Sequence, residues 1–553
     1  MEQNQYSSQH LGHLGILAGV FKKIKFKEKV DKLIPVSHEK GAKITMGERA
    51  MATTYNSLGF FDNRLYMFSK FLEEKPIERL LGSHLSAKDF TDDALGRFLD
   101  AVYEYGSTKF VTNIAFSVAS ELNLLGKTMH VDTTSLTLYG EYDKSDKQTQ
   151  APKVTHGFSK DKRGDLKQVI LNLVINNKAD LPLFMAAHNG NASDQKVLIK
   201  AVEQIEKCCK SLASAPSFIY VADSAMYESC LKKDNNILWL SRVPVVRKEA
   251  KNFLKKHDTY QFVESSKSGY QTHSEEITIA GVKQRWVLVF SEKALARAEK
   301  TLSKQKDRAN KAIKKQITCL QKQVFNCAED AKKALKKVSK SWKFYQVKDI
   351  EIIPVKRHIT PGRPKKDTQR QTVGYRLKVD IEENTTKIGE ILAGKGYFLL
   401  ATNQLNKEEL SDDEILLEYK NQQKVERGFA FIKGNTFEVS SIFLKKESRI
   451  EALMAVMVLS LFVYSLAQHL LRKALKEKKE YVPNQLNKPI QTPTAQWIFF
   501  LLRNVQVLYI NNKRYVKTAN ARNFGLVINL DPLLKRIINY FGTTAVSIYE
   551  LDQ

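Results

Sequence analysis

Between Leu11 and Leu125 the apolar positions recur every three or four residues, in segments such as LGILAGVFKKIKFKEKVDKLI and DDALGRFLDAVYEYG, which predicts a compact set of helices. After Lys127 the period shortens to that of strands. TMHVDTTSLTLYG, QVILNLVIN and LPLFMAAHNG, the last two parted by the polar turn NKAD, predict three successive strands. Helical spacing returns in SDQKVLIKAVEQIEKCCKSL, and SFIYVAD is a short apolar run that ends in an acid, Asp223. A helix between strands is the crossover of an α/β sheet, so the run ending at Asp223 is expected to lie parallel beside the first strand, with Asp223 near Asp132. Beyond ILWLSRVP, the strand-like pieces EEITIAG and RWVLVF give way to a long basic helical stretch from Glu292 to Trp342, apolar on one side only. That pattern suits an antiparallel helical pair or an arm along a phosphate backbone, and equally a solvated structural helix. Strand texture returns in GYRLKVDI and GYFLLATN, and a helix-rich region follows.

Composition narrows the partners. The chain has 553 residues, 43% of them hydrophobic, enough for several domains. Lys and Arg number 88 against 60 acids, a formal net charge of +28 that favours a polyanion, nucleic acid before an anionic membrane surface. Part of that charge, Lys22, Lys23, Lys25, Lys27 and Lys29, is either a DNA-facing patch or a solvated face. The five cysteines are odd in number and lack a CxxC pair, so neither a disulfide framework nor a thiolate zinc site is indicated. The start, MEQNQYSSQHLGHLG, carries neither a basic nor an apolar leader region, and a cytoplasmic location is expected. ALMAVMVLSLFVYSLA, Ala452 to Ala467, is nearly all apolar but shorter than the about 20 residues a bilayer demands, and charged residues precede it. It is expected to be a buried core helix, with no membrane partner.

One residue breaks the strand pattern. Asp132 stands among β-branched and aromatic residues, where an unpaired carboxylate costs several kcal/mol. It is either satisfied by hydrogen bonds or held for chemistry. A third acidic element lies in SDDEILLEYKNQQKVERGFAFIKG, where Tyr419, Glu426 and Lys433 are spaced seven and seven and would form one stripe on a helix. If that helix packs beside the sheet, Asp132, Asp223 and Glu426 can together hold one or two Mg²⁺ (or Mn²⁺) ions, and Lys433 can touch a phosphate. Such an assembly performs two-metal phosphoryl transfer. On spacing alone Asp143, Asp165 or Asp194 could replace a member, and Asp223 could simply cap the helix that follows it. His130, His156 and His188 have no zinc-like spacing. Thr360 to Lys366, TPGRPKK, cannot be helical, and its Gly-Arg-Pro core with Arg363 resembles the AT-hook peptides that lay an arginine in the minor groove.

A resemblance selects among these options. HVDTTSLTLYGEY, HGFSKDKRGDLKQVILNLVI, HNGNASD, FIYVADSAMY, WLSRVP, FLLATN and YKNQQKVERGFAFIKG with IFLKKESRIEALMAVMVLSLFVYSL resemble, in this order, the blocks of insertion-sequence DDE transposases that carry a Tyr-Arg-Glu-Lys signature. The resemblance implies an α/β fold: an RNase H-like core, a mixed sheet flanked by helices, interrupted by an insertion domain and preceded by a helical N-terminal domain. On that basis residues 1–125 form the N-terminal DNA-binding domain, 126–244 and 395–480 the two parts of the core, 245–394 the insertion and 481–553 a C-terminal region. It also implies metal-dependent cleavage and strand transfer of DNA, with terminal inverted repeats and target DNA as partners and a homodimer in the synaptic complex. The catalytic, metal-holding acids fall on Asp132, Asp223 and Glu426, and the signature Tyr and Lys fall on Tyr419 and Lys433. Where the signature has arginine this chain has Gln422, with Lys420, Lys424 and Arg427 nearby as compensating charges. A transposase-derived DNA-binding protein that no longer cuts is the alternative that Gln422 leaves open.

Overall fold

The computed structural model describes residues 5–36, 43–59, 67–142, 150–210, 217–231, 237–358, 369–434, 444–511 and 525–551. Arg363 and the TPGRPKK segment around it lie outside the described residues.

A short strand, β1 (Gln5–His10), leads into α1 (Leu14–Lys23), α2 (Phe26–Leu33), α3 (Met46–Leu58), α4 (Phe68–Glu73), α5 (Ile77–Leu80), α6 (Asp92–Tyr105) and α7 (Ser107–Glu121). Local chemistry sets these boundaries. Thr45 and Glu48 close a capping box at the start of α3, Thr91 caps α6, and Gly106, at φ 98°, breaks what would otherwise be one rod into α6 and α7.

The chain then builds a nine-stranded sheet in the order β4-β3-β2-β5-β6-β12-β9-β8-β7. β2 (Thr128–Leu138), β3 (Lys167–Asn176) and β4 (Leu181–Asn189) form an antiparallel meander. After α8 (Asp194–Lys210), β5 (Ile219–Ala222) joins β2 in parallel, and after α9 (Ser224–Cys230), β6 (Leu238–Arg242) joins β5 in parallel. This is the mixed sheet, flanked by helices, of an RNase H-like core. β2 is paired to β3 over nearly its whole length and to β5 from Thr128 to His130, so the sheet fixes the backbone that carries Asp132.

The stretch between β6 and the last core helices does two separate things. Past α10 (Lys248–Lys255), β7 (Val263–Glu264), β8 (Tyr270–Ile279) and β9 (Val282–Ser291) continue the main sheet, closed onto β6 by β12 (Tyr397–Thr402). Between them, α11 (Glu292–Lys322), α12 (Ala328–Ser339) and α13 (Thr385–Leu392) pack on a long hairpin, β10 (Tyr345–Arg357) with β11 (Gln371–Glu383). That group has its own small core, including Leu302, Ile313, Leu335, Trp342 and Leu377, apart from the main one.

The remaining core helices are α14 (Asp412–Asn421), α15 (Gln423–Lys433) and α16 (Glu447–Lys478). α16 is long and apolar enough to cross a membrane by length and composition, but most of its apolar stretch is buried against α1, α3, α6, α7 and β4. A helix apolar on all sides needs such surroundings, and each buried Leu, Val or Met in it contributes about 1.5–3 kcal/mol. Glu451 is the exception on α16. It borders a cavity of about 990 Å³ shared with α7, β4 and α8, and burial pushes its carboxyl up to about 7, with nearby Ser107 opposing. The chain then turns back. The strand Gln506–Asn511 pairs antiparallel with β1, and the Tyr549 hydroxyl donates to Gly12 O.

Candidate active site

β2 is rich in β-branched residues and buried on both faces except at Asp132, whose side chain is 22% exposed, and at Thr137 near its end. The acid is satisfied locally: Thr133 N–H donates to its Oδ1 at 2.7 Å. It is also answered by a cation. The loop after β2 folds back so that Lys160 N–H donates to Ser135 Oγ at 3.1 Å, and its ammonium donates to Thr133 O at 2.6 Å and Thr133 Oγ1 at 2.9 Å. This leaves Lys160 Nζ 3.9 Å from Asp132 Oδ1.

The parallel ladder locates the second acid. Its register runs Thr128 to Ile219, Met129 to Tyr220 and His130 to Val221, and carried two residues further it sets Asp132 level with Asp223. Asp223 also caps α9, accepting from Ala225 N–H at 2.9 Å, and its place level with Asp132 does not conflict with that cap. Ser241 Oγ fixes its backbone by donating to Asp223 O at 2.6 Å.

Glu426 is exposed on α15, which packs across β2 and β3. Gly428 permits that approach, since a Cβ there would lie 3.0 Å from Ile175 Cδ1 and 3.2 Å from Leu461 Cδ2. Tyr419, at the end of α14, links the two sides. Burial raises its phenol above the ordinary range; Arg242 opposes this by charge and hydrogen bond, while the carboxylates of Asp223 and Glu426 add to it. The phenol is therefore within electrostatic reach of both acids.

The stripe expected on a single helix is divided. α14 ends and α15 begins at Gln422, which keeps helical angles (φ −54°, ψ −25°) while the turn tightens to i→i−3 bonds, Gln422 N to Tyr419 O and Val425 N to Gln422 O. Lys433, at the far end, is held by Asp161 at 2.7 Å rather than left open to a phosphate. Of the neighbouring cations, Lys420 lies over the rings of Tyr270 and Phe398 and Lys424 pairs with Asp180 at 2.8 Å, whereas Arg427 stays exposed beside Glu426.

A buried polar network carries α14. Glu418 accepts from Thr128 Oγ1 at 2.6 Å and Asn177 Nδ2 at 3.1 Å, and His130 Nε2 lies 3.2 Å away as a misaligned ion-pair contact. Burial works to raise the Glu418 carboxyl, but these partners outweigh it and hold the group below its usual range. The other end of α14 is tied to the added strands: Asp412 faces buried Arg285 at 3.4 Å and accepts from Ser274 Oγ at 2.6 Å, and Ser265 and Ser266 bind Asp413. Strands β8 and β9 thus brace the helix pair that bears Glu426. Sequence reasoning missed Lys160, Arg242 and Glu418.

The donor set is all oxygen and suits a hard divalent cation. Among the described residues no three of His, Cys, Asp and Glu are drawn together tightly enough to form a ready metal shell, so the three acids share a region without closing on a point.

A family model described as a transposase DDE domain matches residues 127–463, most of the chain. The chain belongs to that family. Asp132, Asp223 and Glu426 of this DDE transposase all lie within the matched span, and the family works with divalent metal ions. A second model, a domain of unknown function (DUF4277), matches residues 6–116, the helical N-terminal part. No curated protein matches. Among solved structures, a piggyBac transposase synaptic complex with hairpin DNA is similar at TM-score 0.36 and 9% identity, covering 90% of this chain and 82% of that one.

Proposed function

We propose that the protein cleaves DNA at the terminal inverted repeats of an insertion sequence and joins the freed ends to target DNA. The observation that carries this reading is the parallel register of β2 and β5, which carried two residues on sets Asp132 level with Asp223, with the α15 helix of Glu426 packed over β2. In each step an oxygen nucleophile attacks phosphorus in line. Water attacks first, breaking the bond to the 3′ oxygen, which leaves as a hydroxyl. That hydroxyl then attacks a target phosphate and displaces the next 3′ oxygen.

Asp132, Asp223 and Glu426 would hold the ions, Mg²⁺ or Mn²⁺ and two per site, whose chemistry is to lower the pKa of the attacking water and stabilise the leaving oxygen. The chain's own residues orient and neutralise. Lys160 keeps Asp132 in place until DNA arrives, and Tyr419 with Arg242 presents a donor pair beside Asp223. Gln422 hydrogen-bonds a phosphate without adding charge, so end binding in this chain leans on Arg427 and, once released from Asp161, on Lys433. Two ends must meet for joining, which makes a homodimer on DNA the working state, in the cytoplasm.

The uncharged Gln422 and the occupied Lys433 favour a second reading, a DNA-binding relative that no longer cuts. One experiment separates the two. A labelled duplex bearing the element's own terminal repeat is incubated with Mg²⁺ or Ca²⁺ and with the wild type or Glu426→Gln. Nicking at the repeat boundary that needs Mg²⁺ and disappears in the variant, with binding retained, supports the transposase reading. Specific binding with no cut by either protein supports the second.

A further inference from the structure

Helix α11 has a face that the carboxylate site does not use. Arg297, Lys300, Lys304, Arg308, Lys311 and Lys315 follow one another at three- and four-residue intervals, and all are exposed. At 100° per residue they form one narrow stripe opposite the buried Leu302, Ile313 and Ile317. None of the six has a carboxylate partner among the described residues. Asp307, beside the stripe, forms no ion pair with any of the six, and Lys306, off the stripe, pairs with Glu383 at 2.6 Å. Like charges at these spacings repel one another and weaken an isolated helix. Six in succession, with one acid at Asp307 beside them and no ion pair among the described residues, favour a polyanion that runs alongside.

The stripe is about 27 Å long, close to one turn of a DNA duplex. Its six cations run in an even row that suits successive phosphates, with none of the amide or carboxylate side chains that read adenine or cytosine edges among them; Gln316, to one side of the row, accepts from Trp342 Nε1 at 3.0 Å. Contacts of this sort fix position and affinity but carry no sequence information. We infer that α11 is a phosphate track for duplex DNA whose sequence the protein does not read, the target or the flank beyond the repeat. The inference rests on the proposed DNA reaction but concerns a different surface from the three acids.

The test uses the full chain and a 30-bp duplex of arbitrary sequence, with affinity measured from about 50 to 200 mM salt. The stripe variant carries Arg297→Gln, Lys304→Gln, Lys311→Gln and Lys315→Gln. A control removes the same charge elsewhere with Lys473→Gln, Lys476→Gln, Lys479→Gln and Lys488→Gln. The stripe variant is expected to bind at least about tenfold more weakly, with the log–log salt slope shallower by about 0.9 for each phosphate that is no longer neutralised, while the control moves less than about twofold. Nicking of the repeat duplex by the stripe variant should stay near the wild-type rate. Equal losses in both variants, or binding to phosphatidylserine vesicles in place of the duplex, overturns the track. Wild-type protein that binds the arbitrary duplex through the stripe but never nicks the repeat retains the track and removes the reaction proposed above.

Discussion

Asp132 and Glu426 reach the same region by opposite means. Asp132 stands on a strand paired along nearly its whole length to β3 and, just before the acid, from Thr128 to His130, to β5, so the backbone ladder fixes it and the fold would have to open to move it. Glu426 is exposed on a short helix set in place by a neighbour, α14, which hangs from one buried carboxylate at Glu418 and from Arg285, Ser265, Ser266 and Ser274. The lesson is that the two kinds of acid have different sensitivities. A ladder tolerates loss of any one side chain, whereas a side-chain network does not.

The largest expected effects do not distinguish them. Asp132→Asn and Glu426→Gln should each lower the metal-dependent cleavage rate by about 10³-fold or more, because groups acting as a unit fail together. Single-turnover nicking measures this. Glu418→Ala sharpens the contrast. It leaves Thr128 and Asn177 without their acceptor and should cost about 1–3 kcal/mol of stability, read as a lower Tm. Cleavage should fall by about 10- to 100-fold through misplacement of Glu426. Hydrogen exchange in β2 beyond His130, past the network's own contacts at Thr128 and His130, should be unchanged; if that part of β2 loosens as much as α14, the two elements are not held independently.

Two acids then give pH effects of opposite sign. The Glu418 carboxyl is held below its ordinary value, so its stabilisation is present above about pH 4.5 and is lost as the pH falls through the lower folded value. The Glu451 carboxyl is pushed up to about 7, so the protein should lose stability as the pH rises from about 4.5 through 7. Glu451→Gln should remove that loss, which amounts to at most about 3 kcal/mol, and melting curves at pH 5 and pH 8 for both proteins would show it. The smallest effect belongs to the half-exposed pair Lys433 and Asp161. Asp161→Asn should change Tm by an amount equivalent to less than about 1 kcal/mol, while freeing Lys433 tightens binding of the repeat duplex two- to threefold.

What could be inferred from the chain alone follows the same division. The strand run around Asp132, the crossover and the acid at the end of SFIYVAD depend on local period and on one handedness of connection, and so they were legible. The break at Gln422 was not, because tightening by a single turn leaves no mark in a seven-residue spacing. Nor was the seat of Glu418, whose partners Thr128, His130 and Asn177 come from a distant part of the chain. RWVLVF and GYFLLATN were recognisable as strands, but nothing in an apolar run says which sheet it will join. Lys433 looked available because its partner Asp161 lies in a loop after β2.

The burial of α16 among α1, α3, α6 and α7 also has a bearing on synthesis. The N-terminal helices leave the ribosome long before their central partner, with the chain from Glu121 to Glu447 still to be made. At about 5–20 residues per second, that is a delay on the order of 15 to 65 s during which the apolar faces that α16 covers stay open, although the helices can pack on one another and α7 on β4. A nascent chain in that interval is a client for chaperones, and a transcript cut short before the α16 codons would yield helices that aggregate rather than a stable DNA-binding fragment.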